Sequence, residues 1–180
     1  MSQLNPGDTV LIGARPGHGK TLLGLELAVL AEKSDRKGYI ISLDYNVADV
    51  WDRFEILGLR SKEYYRSIVV DTSDDICATY IIECLDNTPD HAIVVVDYLQ
   101  LLDEKRSNPP LEEQVRALKK FAVKRGAIVV MISQIDRAFE LSSSDMPSVD
   151  DIRLPNPLDL SIFDKRCFLH DGEVQIEIAA

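Results

Sequence analysis

The chain has 180 residues, 46% of them hydrophobic, which suits one globular domain with a substantial core and excludes a fibrous or tail-like chain. A net charge of −10 and a pI near 4.7 oppose casual adhesion to nucleic acid, because phosphate binding draws on lysine and arginine, so any DNA contact has to be local. There is no apolar run of roughly eighteen residues, and "MSQLNPGDT" lacks the basic-then-apolar signature of a signal peptide; the expectation is a soluble, cytoplasmic protein without membrane contact.

In chain order, "TVLIGA" reads as a short β-rich run, and Thr21 to Lys33 as a helix apolar nearly all round, as befits an element packed on both sides. "GYIISLD" reads as a second buried strand, "VADVWDRFEILG" as a helix ended by Gly58, "SIVVD" as a strand and "DDICATYIIECLDN" as another helix. "HAIVVVDYLQLL" opens as the most strand-like run in the chain. After the turn-forming "SNPP" comes a helix, Leu111 to Arg125, with Leu111, Val115, Leu118 and Ala122 on one face, then Gly126 and the strand "AIVVMIS". Near the end, "KRCFLHDGEVQIEIA" places Asp171-Gly172 between two alternating runs, a hairpin signal. Strand and helix alternate throughout, which predicts an α/β fold: a mainly parallel sheet covered by helices on both faces, with a C-terminal β-hairpin.

A single domain over residues 1–180 is expected, without internal repeats. Within it, residues 134–161 are rich in serine, aspartate and proline and read as a long mobile loop, since unstructured connections of that length are functional or disordered. Cys77, Cys84 and Cys167 lack CxxC spacing and read as buried thiols, forming neither a disulfide framework nor a zinc site. His18, His91 and His170 are scattered without ligand spacing and read as loop or surface residues.

The stretch with most chemistry is Ala14-Arg15-Pro16-Gly17-His18-Gly19-Lys20-Thr21, a P-loop pattern if alanine is allowed in its first place. Its physical logic survives that change. Glycines let backbone N–H groups curl around phosphate oxygens, the following helix directs its positive dipole end at them, the lysine pairs with the β- and γ-phosphates, and the threonine hydroxyl reaches Mg²⁺. A plain solvated turn would need neither the buried strand before it nor the helix after it. ATP is therefore the expected ligand, held by residues 14 to 22, Leu22 included, with Mg²⁺ as its companion. Such a site predicts an acid at the C-terminal end of another strand, and "AIVVVD" supplies Asp97 as the metal-holding partner of Thr21. Tyr98 follows it where a glutamate base could have stood, so the group orienting the attacking water has to come from elsewhere.

Taken together, "ARPGHGKT", "VVVDYLQLL" and "ISQIDR", in this order and spacing, resemble the nucleotide-binding motifs of the RecA-like motor domain of DnaB-type replicative helicases, from Gly13 to the final hairpin. In that family a "SLE" motif carries the catalytic glutamate; the matching stretch here is "SLD", Ser42-Leu43-Asp44, so the resemblance implies Asp44 as the base, one methylene shorter. A turn acid before the next helix is the other reading of Asp44. The resemblance also implies that Gln134 senses the γ-phosphate, whereas chemistry alone equally allows a polar cap on a buried strand. Lys20, Asp44 and Gln134 form the expected catalytic set.

The family implies a homo-oligomeric ring that grips single-stranded DNA with the loop after the glutamine. Here residues 134–161 hold six acids, Asp136, Glu140, Asp145, Asp150, Asp151 and Asp159, against Arg137 and Arg153, a sign that repels phosphate and predicts weak DNA binding. Basic residues gather on helix 111–125 at Arg116, Lys119, Lys120, Lys124 and Arg125, and the simplest reading is a solvated helix face. No N-terminal helical domain of the replicative-helicase kind is expected. In the family the last strand runs on into a lysine and an arginine that reach a neighbour's γ-phosphate; the sequence ends at Ala179-Ala180, with Lys165 and Arg166 as substitutes or as ordinary exposed charges. Two functions follow: an ATP-hydrolysing helicase or translocase core, or a nucleotide-dependent binding switch that kept the pocket and lost the motor.

Overall fold

A computed structural model describes residues 4–34, 36–42, 44–58, 67–88, 90–103, 105, 107–154 and 156–179. Leu43 of the "SLD" stretch, like residues 1–3 and 180 of the expected 1–180 unit, lies outside the described residues. The elements run β1 (Thr9–Ala14), α1 (Lys20–Lys33), β2 (Gly38–Ser42), α2 (Val47–Ile56), β3 (Ile68–Asp71), α3 (Ala78–Asp86), β4 (Ile93–Asp97), α4 (Leu111–Arg125), β5 (Ile128–Gln134), β6 (Lys165–His170) and β7 (Glu173–Ile178). The described strands form one sheet in the order β3-β2-β4-β5-β1-β6-β7. All neighbours are parallel except β6 and β7, which pair antiparallel.

Unbroken apolar strands arise because both faces of this sheet are covered. Successive residues of β4 and β5 alternate between two cores: Val94, Val96, Val129 and Met131 face one side, and Ile93, Val95, Ile128, Val130 and Ile132 face the other. Helix α1 lies across β2, β4 and β5. With Phe54 of α2 it fills one core, while Ile81 and Leu85 of α3 and Leu111, Val115 and Leu118 of α4 fill the other. The expectation that α1 is packed on both sides is not met: its buried residues Leu25, Leu27, Ala28, Val29 and Ala31 all belong to the one core that it shares with Phe54. Its approach to β2 is close: a Cβ on Gly38 would stand 2.7 Å from the Ala28 carbonyl oxygen.

Turn chemistry follows the sequence at the hairpin, where Asp171 (φ 46°) and Gly172 (φ 83°) take the left-handed conformations of a two-residue turn. It departs at α3, which begins at Ala78 rather than at Asp74, with the Cys77 sulfur accepting from the Tyr80 N–H as its cap. The expectation of three buried thiols is corrected: Cys167 is buried, and desolvation pushes its pKa up to about 11, but Cys77 is partly exposed and Cys84 is exposed. Within 134–161 the chain makes short 3-10 turns at Arg137–Leu141, Val149–Asp151 and Leu160–Ile162 and bridges Ile135 to Ile152. Among the described residues no helix is long and apolar enough to cross a membrane.

Candidate functional site

At the C-terminal edge of the sheet β1 stops at Ala14, the chain turns through residues 15 to 19, and α1 starts at Lys20. Gly17 and Gly19 have φ of 88° and 86°, a region a side chain would resist, although nothing lies within 4 Å of either missing Cβ. Conformation, not crowding, demands these glycines. The turn borders a cleft of about 170 Å³ lined by Gly17, Gly19, Lys20, Thr21, Leu22, Tyr45 and Arg53. A helix N-terminus, a glycine turn and two cations around one cleft constitute a receptor for an anion.

Thr21 and Asp97 meet at this edge, the threonine Oγ1 donating to Asp97 Oδ2 at 2.9 Å. Asp97 is 3% exposed, and burial raises its pKa; the Thr21 hydrogen bond and the charges of Lys20 and Arg53 pull the other way, while Asp44 adds to the rise. A carboxylate this buried gains from a nearby cation, so the pair fits a hard metal ion bound through oxygen. Ser42 stands level with Asp97 in the neighbouring strand, and its hydroxyl is buried without a hydrogen-bond partner among the described residues.

Asp44 follows β2 on the exposed side and is close enough to Asp97 for their charges to interact. It is not the cap of the next helix. Asn46 has that role, accepting from the Asp49 N–H at 3.0 Å while Asp49 Oδ2 accepts from the Asn46 N–H at 3.1 Å. Gln134 ends β5 directly beside Ala14, with Arg153 Nη1 3.4 Å from its Oε1. It is thus next to the turn and tied to the loop that follows it.

The remaining residues of the motif divide. Gly17, Gly19, Lys20, Thr21 and Leu22 line the cleft, Ala14 is buried within the sheet, and Pro16 is exposed. Arg15 turns away, donating from Nε to Glu140 Oε1 at 2.8 Å and from Nη1 to the Ile135 carbonyl at 3.1 Å. His18 also turns away, and here the reading of scattered histidines is corrected: its ring stacks on His170 with centroids 4.8 Å apart. Linear spacing could not reveal this, because nearly the whole fold separates the two residues along the chain.

Two cleft residues, Tyr45 and Arg53, were not anticipated. Arg53 projects from α2 into the cleft with its guanidinium 3.7 Å from the centre of the Tyr45 ring and Nη1 donating to the Asp49 carbonyl. Its helical spacing from Asp49 was visible in the sequence, but the direction in which α2 faces was not. The reading of Lys165 and Arg166 as ordinary exposed charges is corrected. Lys165 is 6% exposed and ion-paired with Asp8, Arg166 donates to the Leu160 carbonyl, and both lie at the start of β6, the opposite end of the sheet from the turn. On α4, Arg116 pairs with Glu112, Lys119 with Asp164 and Arg125 with Asp90, so much of the basic face is neutralised within the chain.

A glycine turn, a buried acid facing the threonine and a parallel sheet between helices define a protein of the RecA-like P-loop class. Residues 62–158 match the family model of the DnaB-like helicase C terminal domain, and the chain belongs to that family. It is 26% identical over 187 residues to the replicative DNA helicase DnaB of Leifsonia xyli, covering 83% of this chain and 40% of that protein. A DnaB-like replicative helicase, solved in a study of its interactions with primase, matches with a TM-score of 0.74 and 24% identity over 97% of this chain and 52% of that one. A KaiC-like protein from the hyperthermophilic archaeon Pyrococcus horikoshii shares the fold with a TM-score of 0.68 and 16% identity over 97% of this chain and 80% of that one. The chain spans about two fifths of the length of the curated relatives it matches.

Proposed function

We propose that this chain is an ATP-hydrolysing motor unit of the DnaB-like kind, a single ATPase domain that works on single-stranded DNA as part of a homo-oligomeric ring. The observation that carries the reading is the hydrogen bond that ties buried Asp97 to Thr21, which lines a cleft together with Lys20 and Arg53. Membership of the helicase family favours a motor over a switch that has lost its motor.

Gly17 and Gly19 present backbone N–H groups to the β- and γ-phosphates of ATP, and Lys20 neutralises their charge. Thr21 and Asp97 would hold Mg²⁺, which when bound would supply Lewis-acid stabilisation of phosphate charge. Asp44 orients a water molecule from the exposed side of the cleft and accepts its proton. Arg53, stacked on Tyr45 in the cleft, offsets negative charge spreading over the transferred group. Gln134 contacts the phosphate end through its amide and reports to the following loop, to which Arg153 and Arg15 already tie it and the turn. The acids of that loop keep DNA affinity low and steeply dependent on salt.

The test is Mg²⁺-dependent ATP turnover and calorimetric binding of a non-hydrolysable analogue, for the chain and for Lys20→Ala. Loss of one charged hydrogen-bonding partner should weaken binding by roughly 10- to 100-fold. Equal affinity in a folded variant overturns the phosphate assignment. Tight, salt-insensitive binding of a labelled single strand overturns the weak-grip reading.

A further inference from the structure

Outside the cleft, on the far side of the same turn, three potential ligand groups from distant parts of the chain converge. His18, His170 and Asp171 each offer one ligand atom, and these atoms all lie within 4.8 Å of one another. We propose that His18, His170 and Asp171 form a site for a borderline transition-metal ion such as Zn²⁺, Co²⁺ or Ni²⁺, which clamps the turn at His18 to the tip of the β6–β7 hairpin.

The donor set matches that class of ion. Two imidazoles and one carboxylate suit Zn²⁺, Co²⁺ or Ni²⁺, whereas Mg²⁺ prefers oxygen alone. Three protein ligands leave a position for water. His18 Nδ1 accepts the Asp171 backbone N–H at 3.1 Å, so that nitrogen carries a lone pair directed at the hairpin, the form a metal requires. The same atom is 3.6 Å from Asp171 Oδ1, and His170 Nε2 is 3.6 Å from Asp171 Oδ2. Ligands around a tetrahedral ion with bonds of about 2.0–2.1 Å stand roughly 3.3 Å apart, so the carboxylate is nearly in place, while closure from the 4.8 Å spread requires one imidazole to rotate out of the stack and move inward by ~1.5 Å. The backbone N–H released by that movement belongs to an exposed turn residue and passes to water.

Both histidine side chains are partly exposed, which leaves the ion a way in and the rings room to turn. His170 is stacked on His18 with planes 9° apart, and Phe139 meets it edge-on at 5.1 Å. Asp171 is 78% exposed in its side chain, open to solvent. Among the described residues His170 Nδ1 is buried without a hydrogen-bond partner, so they do not supply the outer hydrogen bond that normally strengthens a metal-bound imidazole. Affinity should therefore fall short of a structural zinc centre by roughly 10- to 100-fold.

Untagged, chelator-stripped full chain titrated with Co²⁺ should develop visible absorption bands that saturate near one equivalent and vanish on addition of Zn²⁺. His18→Ala, His170→Ala and Asp171→Asn should each weaken Co²⁺ binding at least about ten-fold, whereas His91→Ala should not. Nitrogen NMR of the wild-type rings reads the same site without a variant: Zn²⁺ should shift His18 and His170 and leave His91 in place. Folded wild type that develops no bands, binding left intact by both His18→Ala and His170→Ala, or shifts confined to His91 would each overturn the proposal.

Discussion

Thr21 and Asp97 are 76 residues apart in the chain, yet the Thr21 hydroxyl donates to Asp97 Oδ2 at 2.9 Å. Because burial raises the pKa of Asp97, the folded state holds its proton to higher pH than the unfolded state does. Within the window from the ordinary aspartate range up to that raised value, the folded state binds more protons, so stability falls as pH rises. Asp97→Asn removes this cost and keeps an acceptor for Thr21. Without nucleotide, the variant should be more stable than the wild type at neutral pH, with a higher Tm, and lose the wild-type decline with pH. Thermal melts across pH check this, and Mg²⁺-dependent turnover should fall in the same variant.

Asp44→Asn should bind the nucleotide analogue as the wild type does and hydrolyse ATP at least ~10²-fold more slowly, because a group that orients water acts mainly in the transition state. Asp44→Glu, one methylene longer, should restore turnover to the wild-type rate or above it. Single-turnover rates beside equilibrium binding separate the two effects, and an unchanged rate in Asp44→Asn removes the residue from the mechanism.

Arg53 acts on both the cleft and Asp97. Arg53→Ala should reduce kcat and push the Asp97 pKa further upward, since one of the charges that lowers it is gone. Arg53→Lys should recover only part of kcat, because a lysine cannot reproduce the flat stacking on Tyr45. Steady-state kinetics of the two variants, with the Asp97 carboxyl followed by carbon NMR, read both predictions.

Gly38→Ala should destabilise the fold by about 1–3 kcal/mol, since the new methyl meets the Ala28 carbonyl, an atom fixed in the backbone of α1. Urea unfolding measures the loss. The fraction that remains folded should bind the analogue with unchanged affinity.

Much of the architecture could be read from the sequence because buried parallel strands announce themselves as apolar runs and because glycines mark the turn before Lys20. The hairpin was equally plain, as Asp171-Gly172 takes the positive φ values that few other pairs tolerate. What stayed hidden depends on neighbours. The start of α3 was obscured because Asp74 and Asp75 resemble a helical first turn, while the backbone actually turns there and Cys77 provides the cap. Arg53 and the His18–His170 stack were invisible for a related reason: each is a meeting of side chains from separate elements, and periodicity assigns a residue to a face without saying what the face meets.

Strand β1, which delivers the glycine turn, has β5 and β6 as its neighbours in the sheet, so its strand partners among the described residues come from 129–134 and 165–169. During synthesis β1 emerges before both and waits for them. Closing loops of roughly a hundred residues or more is slow compared with forming helices, so strand β1 is paired late and the turn at residues 15–19 becomes rigid only then. Capture of a fluorescent nucleotide during refolding would therefore clock the final pairing step of the sheet, lagging behind the recovery of helical circular dichroism.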